Sequence, residues 1–294
     1  MTLLVRNEAD IVEANLRFHL DEFADQVIVT DNGSSDGTRD ILGEFASTSE
    51  LIVIDEPADD YDQARWVTRM ALMARDMLGA DWIINNDADE FWAVPGGDLR
   101  SVLERASAPI QRCERLNFVG SLDGPERLPW PERLIYRAAS PTPRPPGMDL
   151  LRDRLPAPYF LLRLPGKVAL KTQGLKRVRQ GNHDARYDTE AASEACPITV
   201  FHFPVRSRRQ FQRKIQEGGE AYARNMEAPA TAGWHWRRLY RRLREQGLEA
   251  ALADAVPSSA QIEHGLITGE ILEDRRMVRR LAAYVSSPSG PSAP

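Results

Sequence analysis

The sequence predicts an α/β fold, with a mostly parallel sheet flanked by helices and a helical region at the C-terminal end. Short apolar runs rich in β-branched residues alternate with segments whose apolar residues recur at helical spacing. Polar, turn-forming residues follow the first, second and fourth of these runs. Beyond residue 205 the apolar residues recur at helical spacing, so we expect helices packed on the sheet there.

The first 92 residues account for the parallel part of the predicted sheet. Strands are expected at residues 2–5, 26–30, 51–55 and 82–84, and helices at residues 9–23, 39–47 and 62–78. This alternation is typical of right-handed crossovers between parallel strands. Because the carboxyl ends of such strands meet at one rim of the sheet, we expect the functional site at that rim.

The remainder of the chain is less regular. Further strands are expected at residues 114–119, 159–164 and 167–171, and other strands end near residues 184 and 207. Residues 123–158 are rich in Pro, Gly and Arg, and so long an irregular segment in a compact domain is usually functional or mobile. Residues 261–285 predict a last amphipathic helix. The tail, residues 286–294, is almost entirely Ser, Pro, Gly and Ala and is expected to be disordered.

Composition excludes several classes of protein. Hydrophobic content of 42%, charged content of 28% and a net charge of -5 are ordinary for a soluble domain and argue against a general nucleic-acid binder. No transmembrane segment or signal peptide is expected. Cys113 and Cys196 lie far apart in sequence without metal-ligand spacing, so we expect two free thiols in a reducing compartment. Together these observations predict a cytoplasmic protein.

An acidic cluster follows the fourth predicted strand. Asp87 and Asp89 are two residues apart, so on extended backbone both side chains leave the same face while Ala88 points away. Two carboxylates that converge at a strand end repel unless a cation lies between them. A hard divalent cation with phosphate oxygens as further ligands fits best. The alternative is a solvated acidic turn.

Three motifs, in order and each at a strand end, resemble those of family 2 glycosyltransferases of the GT-A fold. They are Asn7-Glu8 after strand one, residues 31–38 (DNGSSDGT) after strand two, and residues 81–82 (DW) with 87–91 (DADEF) around strand four. The resemblance implies inverting transfer of a sugar from a nucleotide-sugar donor to a hydroxyl of a small-molecule or glycan acceptor. It also implies a Rossmann-like catalytic domain at 1–205, with a donor half at 1–92 and an acceptor half at 114–205. Residues 206–285 then form a helical region packed on it.

The resemblance also implies a set of donor and metal residues. Donor-binding residues are expected to be Asn7, Glu8, Asp31, Asn32, Ser34, Asp87, Ala88, Asp89, Arg206 and Lys214. Asp89, Asp87 and His202 are expected to ligate Mn2+ or Mg2+, although a lone His between aromatic residues is also typical of a core. Many relatives have Asp where this chain has Asn32, so the sequence does not determine whether the donor is a UDP-, GDP- or dTDP-linked sugar. An amide both donates and accepts and suits several bases.

The acceptor side and the catalytic base are predicted from fewer signals. Glu90, Trp92 and Trp130 are candidates for the acceptor side, although Glu90 could instead pair with an Arg and Trp92 could belong to the core. Inverting transfer needs a base for the acceptor hydroxyl proton. Asp184 is the first candidate for that base and His183 the second.

Two other functions stay open at this point, as does a homo-oligomeric state. A nucleotidyltransferase on a similar sheet would normally have a Gly-rich basic loop after strand one, and residues 6–8 (RNE) are neither. A non-catalytic module could bind an acidic partner through the basic residues between 206 and 244. The Gly-x-Gly-x-x-Gly pattern of dinucleotide-binding domains does not follow strand one.

Overall fold

The computed structural model describes residues 1–47, 50–58, 62–123, 128–224 and 233–285. They form two compact units, of which the first contains Met1–Ala58, Asp62–Leu116 and Pro165–His202. The second contains the described residues of Asn117–Leu164 and Phe203–Pro294. The predicted tail, residues 286–294, lies outside the described residues. The predicted division at residue 205 concerns catalytic roles and stays a prediction.

Strands and helices alternate through the first unit, as the apolar pattern predicts. The strands of the chain are β1 Thr2–Val5, β2 Val27–Asp31, β3 Leu51–Asp55, β4 Trp82–Asp87, β5 Glu90–Ala93, β6 Ile110–Asn117, β7 Tyr136–Ala138, β8 Lys167–Lys171, β9 Leu175–Val178, β10 Ala185–Tyr187, β11 Ser193–His202 and β12 Ile271–Glu273. The helices are α1 Val12–Glu22, α2 Thr38–Ala46, α3 Gln63–Leu78, α4 Leu99–Glu104, α5 Trp130–Arg133, α6 Arg208–Arg224, α7 Trp234–Ala255, α8 Ser259–Thr268 and α9 Arg276–Leu281. Short 3₁₀ turns lie at Tyr159–Leu161 and Gln180–Asn182.

An eight-stranded mixed sheet is the framework of the first unit. Its strand order is β3-β2-β1-β4-β8-β6-β11-β5. The pairs β3–β2, β2–β1 and β1–β4 are parallel, whereas β4–β8, β8–β6 and β11–β5 are antiparallel. The α/β fold is therefore confirmed, and the parallel strands are the four that the alternation of strands and helices predicts.

Helix α3 covers one face of this sheet because its apolar residues recur on one side. Val67, Met70 and Ala71 are buried in a core that also contains Ile83 from β4 and Leu170 from β8. Asp62 caps the N-terminus of the helix, because its side chain accepts a hydrogen bond from the Arg65 amide. It ends at Gly79, whose positive φ of 64° is typical of a glycine that terminates a helix. These ends fix where β4 begins.

The described helices after residue 205, α6 to α9, all belong to the second unit, and the predicted helical C-terminal region is confirmed. Phe211 and Ile215 of α6 pack with Leu239 and Leu252 of α7 in one apolar core. The two helices approach closely because Gly219 faces Tyr240, where a methyl group would overlap the tyrosine ring. Among the described residues, no helix is both long and apolar enough to cross a membrane.

Two predicted elements are wrong, and the strand ends predicted near residues 184 and 207 are misplaced, because β9 ends at Val178 and β11 at His202. The helix expected at 261–285 is interrupted, because Gly269 ends α8 in the left-handed region and residues 271–273 pair with β7 as β12. The strand expected at 159–164 is a 3₁₀ turn at Tyr159–Leu161. In residues 261–285 the apolar residues suit either structure, and the backbone is decided by Gly269 and by the pairing of β12 with β7.

Candidate active site

The acidic cluster lies at the junction of two strands of the first unit. Asp87 is the last residue of β4, Ala88 and Asp89 form a turn, and Glu90 is the first residue of β5. Strand β5 pairs antiparallel with β11, and this register places His202 opposite Glu90. The expected extended backbone through Asp89 is therefore a turn, which we call the Asp89 turn (residues 87–90).

Asp89 and His202 face each other. The Asp89 Oδ2 atom lies 3.5 Å from His202 Nε2, and both side chains are buried. Burial lowers the pKa of His202 to about 4, against the opposing effect of Asp89. The imidazole is therefore neutral near pH 7 and keeps a lone pair, which is the form that binds metals. A carboxylate and a neutral imidazole fit a divalent cation such as Mn2+.

Protein ligands alone do not complete such a site. In the part of the chain that the structure describes, no cluster of three or more His, Cys, Asp or Glu side chains is placed to hold a metal ion. A cation at Asp89 and His202 would need oxygen atoms from a ligand or water for its remaining positions.

Asp87 faces a different group. Its Oδ2 atom lies 2.5 Å from the Lys167 ammonium, and its Oδ1 atom accepts longer hydrogen bonds from Asn182 Nδ2 at 3.4 Å and Gln63 Nε2 at 3.5 Å. Lys167 begins β8 and its side chain is 1% exposed, whereas that of Asp87 is 32% exposed. The positive charge that the acidic cluster requires is thus supplied in part by a buried lysine.

Glu90 is the most deeply buried carboxyl of the cluster. It is 0% exposed and lies 3.2 Å from Lys167 Nζ and 3.6 Å from Arg115 Nη1. Burial raises the pKa of Glu90 to about 7, and Lys167 opposes that rise. Burial works against the charge of Lys167 too, but Asp87 and Glu90 hold the pKa of Lys167 above its ordinary value. The three groups form one coupled buried cluster.

The predicted acceptor-side residues do not form an exposed wall. Glu90 and Trp92 are fully buried, and Trp92 Nε1 donates a hydrogen bond to Asn86 Oδ1 at 2.9 Å. Trp130 belongs to the second unit, where its buried ring packs on Phe203 at 5.0 Å. The alternatives considered for Glu90 and Trp92, an arginine partner and a core position, are what the structure shows. An acceptor role for the three stays a prediction.

The loop after β2 is held by hydrogen bonds to the loop after β1. Asp31 Oδ1 accepts from the amide and the hydroxyl of Ser34, at 3.1 and 2.6 Å. Ser34 Oγ accepts in turn from the Asn7 amide at 3.0 Å, and Asn7 Oδ1 accepts from the Ser35 amide at 2.8 Å. Asn7 adopts a positive φ of 56°, which asparagine tolerates better than most residues. The first two predicted donor motifs therefore lie side by side.

Two residues of this loop are engaged in structural contacts. Asn32 Nδ2 donates to the carbonyls of Glu56 and Ala58, so its amide ties β2 to the end of β3. Asp36 Oδ1 accepts from the amide and the hydroxyl of Thr38, the first residue of α2, at 3.1 and 2.6 Å. Thr38 Oγ1 also accepts from the Glu8 amide at 2.9 Å. The donor-binding roles of Asn32 and Glu8 stay predictions.

The two candidate bases have different surroundings. His183 Nδ1 lies 2.6 Å from the Gly166 carbonyl, and the pKa of His183 is lowered to about 4 by burial and then by Lys167 and Arg115. Asp184 is 40% exposed, and its carboxylate lies 3.7 Å from Arg112 and 3.8 Å from Arg179. Of the two, His183 is the one coupled to the buried cluster.

Arg206 and Lys214 belong to the second unit. Arg206 is buried and donates to the Phe203 carbonyl at 3.1 Å, and Lys214 lies on α6. Their predicted contact with the donor diphosphate stays a prediction.

Several residues that shape the site were not singled out in the sequence. Lys167 and Arg115 come from β8 and β6, and Asn15 from α1 donates to both carbonyls flanking Asp89. Lys167 directly precedes the apolar residues Val, Ala and Leu of a predicted strand, and a lysine at the start of a buried strand was the one sign in the sequence of a buried cation. Asn15 lies four residues after Ile11 on the apolar face of α1, where a polar residue is unexpected.

The chain matches one protein family, and its likeness to solved structures is weak. The model of the family described as Glycosyl transferase family 2 matches residues 3–150, half of the chain. No protein with a curated description matches significantly. Among solved structures, S. aureus TarS 1–349 in complex with UDP is 11% identical with a TM-score of 0.39, over 83% of this chain and 71% of that chain.

Two further structures give similar values. S. aureus TarS 1–349 in complex with UDP-GlcNAc is 10% identical with a TM-score of 0.40, over 92% of this chain and 91% of that chain. HddC from Yersinia pseudotuberculosis is 10% identical with a TM-score of 0.35, over 72% of this chain and 96% of that chain. Likenesses this weak do not bear on the function of this chain, whereas the family match does.

Proposed function

Since the chain belongs to glycosyl transferase family 2 and is therefore a glycosyltransferase, we propose that it transfers a sugar from a nucleotide-sugar donor to an acceptor hydroxyl with inversion. The acceptor hydroxyl loses its proton to a base of the protein as its oxygen bonds to the anomeric carbon. The bond from that carbon to the diphosphate breaks, and a nucleoside diphosphate leaves. Family membership excludes the nucleotidyltransferase and the non-catalytic module as the main activity. A small-molecule or glycan acceptor and a cytoplasmic location complete the proposal.

The observation that carries the proposal is the facing pair Asp89 and His202. A carboxylate and a neutral imidazole 3.5 Å apart are suitable ligands for Mn2+ or Mg2+. When bound, the cation would act as a Lewis acid for the diphosphate leaving group. Asp89 and His202 would hold the cation, and oxygen atoms of the diphosphate would supply further ligands. Asp87, whose charge is largely balanced by Lys167, is assigned to the donor ribose instead.

The nucleoside is assigned to the loop after β2. Support comes from Asp31, Ser34 and Asn7, whose mutual hydrogen bonds hold this loop beside the end of β1. Since both amide protons of Asn32 are given to backbone carbonyls, base selection among UDP-, GDP- and dTDP-linked donors is expected to use main-chain groups of the loop as well.

The base role is assigned to His183 ahead of Asp184. A carbonyl oxygen can only accept, so the contact with Gly166 places the imidazole proton on Nδ1 and leaves Nε2 with a lone pair. A pKa of about 4 keeps that lone pair unprotonated at neutral pH. Asp184 is instead 40% exposed and lies 3.7 Å from Arg112 and 3.8 Å from Arg179, outside the buried cluster.

Calorimetry with MnCl2 and a panel of UDP-, GDP- and dTDP-linked sugars tests the metal site. We expect metal-dependent binding of at least one donor by the wild type and its loss in Asp89→Asn and in His202→Ala. Asp98→Asn is the matched control, because Asp98 accepts from the Arg100 and Ser101 amides at the start of α4 and asparagine can also do so. Wild-type affinity in Asp89→Asn with Mn2+ would contradict the assignment.

The base is tested by kinetics on the donor identified in that panel. His183→Gln is expected to lower kcat by about 100-fold or more with little change in the donor KM, because general base catalysis contributes about 10²- to 10⁴-fold. Asp184→Asn is expected to keep most of the activity. Release of nucleoside diphosphate reports turnover. The opposite ranking of the two variants would return the role to Asp184.

A further inference from the structure

Asn15 is a buried amide on α1 whose side chain reaches the Asp89 turn. Its Nδ2 atom donates to the Ala88 carbonyl at 2.9 Å and to the Glu90 carbonyl at 2.8 Å. The two protons of one amide thus bridge the carbonyls on either side of Asp89. Asn15 is 0% exposed, so water does not substitute for either hydrogen bond.

The acceptor side of the same amide is used as well. Asn15 Oδ1 accepts from Asn86 Nδ2 at 2.9 Å, and Asn86 Oδ1 accepts from Trp92 Nε1 at 2.9 Å. Asn86 lies on β4 just before the turn and Trp92 on β5 just after it. The amide of Asn15 is therefore connected to both strands that the turn joins.

His19, one helical turn after Asn15, completes the connection. Its Nε2 atom accepts from the Trp92 backbone amide at 3.1 Å, so its proton lies on Nδ1, which donates to the Asn15 carbonyl at 2.8 Å. Burial lowers the pKa of His19 to about 3, so this neutral tautomer persists at physiological pH. Each polar atom of the network named here has a partner, which is the condition under which buried polar groups rigidify a structure.

We propose that Asn15 is a positioning residue that fixes the Asp89 turn in the conformation from which Asp89 faces His202. Packing alone would favour an apolar side chain here, because Asn15 lies among Val12, Leu16 and Phe18 on the buried face of α1. An amide suits this position because the backbone carbonyls of Ala88 and Glu90 need hydrogen-bond donors. Replacing Asn15 removes the hydrogen bonds that hold the Asp89 turn, but it removes none of the residues proposed to contact the donor or the cation.

The hydrogen-bonded arrangement does not depend on the activity. The consequence for donor binding rests on the proposed function, because it assumes that Asp89 helps to hold a cation and a nucleoside diphosphate. Two measurements therefore separate the two claims.

The first measurement is hydrogen exchange by mass spectrometry on peptides that cover residues 86–92. Asn15→Asp keeps size and an acceptor for Asn86 but places oxygens against two carbonyls, and Asn15→Ser is a second variant that is too short to reach the turn. In both, exchange of this peptide is expected to be at least about tenfold faster than in the wild type, because local opening follows the lost hydrogen bonds.

Thr2→Val is the matched control. Thr2 Oγ1 donates to Asn85 Oδ1 at 2.8 Å, so this change also deletes one buried hydrogen bond to β4, but it leaves the turn untouched. Peptide 86–92 is expected to exchange at the wild-type rate in Thr2→Val. Unchanged exchange of that peptide in Asn15→Ser, or equal acceleration in Thr2→Val, overturns the proposal.

The second measurement is calorimetric binding of UDP, GDP, CDP and dTDP with MnCl2. For the nucleotide that the wild type binds best, the Asn15 variants are expected to bind about 10- to 100-fold more weakly, the usual effect of losing a group that orients a metal ligand. Thr2→Val is expected to bind normally. Normal binding in a folded Asn15→Ser removes the functional part of the proposal. If the wild type binds none of the four, the proposed function fails, and the exchange result still decides the role of Asn15.

Discussion

Replacing Lys167 by Met removes the buried ammonium that faces Asp87 and Glu90. At the observed 3.2 Å to Glu90, a charge pair is worth about 5 kcal/mol before desolvation if the effective dielectric constant is about 20. Removing one partner of a buried pair typically destabilises a protein by about 3–5 kcal/mol, because the remaining group must stay buried without a counter-charge or change its protonation. We expect a loss in that range in the free energy of unfolding at pH 7.5.

The loss is expected to depend on pH with a definite sign. The pKa of Glu90 in the folded chain, about 7, lies above its unfolded value, so stability associated with this group is full at low pH and falls as pH rises through 7. Lys167 opposes the raised pKa, so its removal raises the pKa of Glu90 further. Lys167→Met should therefore be more destabilising at pH 8.5 than at pH 6.

Urea unfolding of four proteins measures this effect: wild type, Lys167→Met, Glu90→Gln and the double variant. Since a neutral amide needs no counter-charge, the double variant should recover part of the stability lost in Lys167→Met, with a coupling energy of about 1–3 kcal/mol. Lys176→Met is the control, because Lys176 pairs with Asp188 at an exposed site and such pairs contribute about 0–1 kcal/mol. A loss in Lys167→Met no larger than in this control, or a double variant less stable than Lys167→Met, would refute the reasoning.

Two further predictions concern groups away from the Lys167 cluster. The pKa of His19 in the folded chain, about 3, lies below its unfolded value of about 6.5, so the stability contributed by neutral His19 is full above pH 6.5 and falls as the pH decreases. Between pH 6.5 and pH 5 the wild type should therefore lose about 2 kcal/mol of unfolding free energy that His19→Leu does not lose. Urea unfolding at both pH values measures this difference. The Sγ atoms of Cys113 and Cys196 are 3.4 Å apart, so the oxidant diamide should convert both thiols to one disulfide, seen as a loss of two hydrogen masses and of titratable thiol. Cys196→Ser should stay reduced, and two free thiols in oxidised wild type would contradict the prediction.

Much of the first unit could be predicted because its signals are local. The spacing of the apolar residues predicts the strands β1 to β4 and the helices between them. Each boundary in the structure lies within a few residues of the predicted one. Failures occur where backbone conformation depends on a distant partner. Residues 271–273 are a strand only because β7 pairs with them, and no local pattern in an amphipathic segment reveals that partner.

The candidate site shows the same division. Asp87 and Asp89 are recognisable because a strand precedes them, and His202 because an aromatic run surrounds it. Lys167 is different, since its contact with Asp87 depends on the order β4-β8-β6 in the sheet, which the sequence does not state. The two cysteines, 83 positions apart, are likewise brought together by neighbouring strands β6 and β11.

The electrostatics of the site explain why one carboxylate rather than two is assigned to the cation. Three carboxyl groups lie within four residues, and the buried cations Lys167 and Arg115 both contact Glu90, with Lys167 also touching Asp87. Asp89 faces the neutral imidazole of His202, with Oδ2 3.5 Å from Nε2. As a second ligand, Asp87 would have to give up its 2.5 Å contact with Lys167, and the buried ammonium would keep only Glu90 of these two carboxyl partners. These contacts support the proposed assignment of the cation to Asp89 and His202 and of Asp87 to hydroxyl groups of the donor.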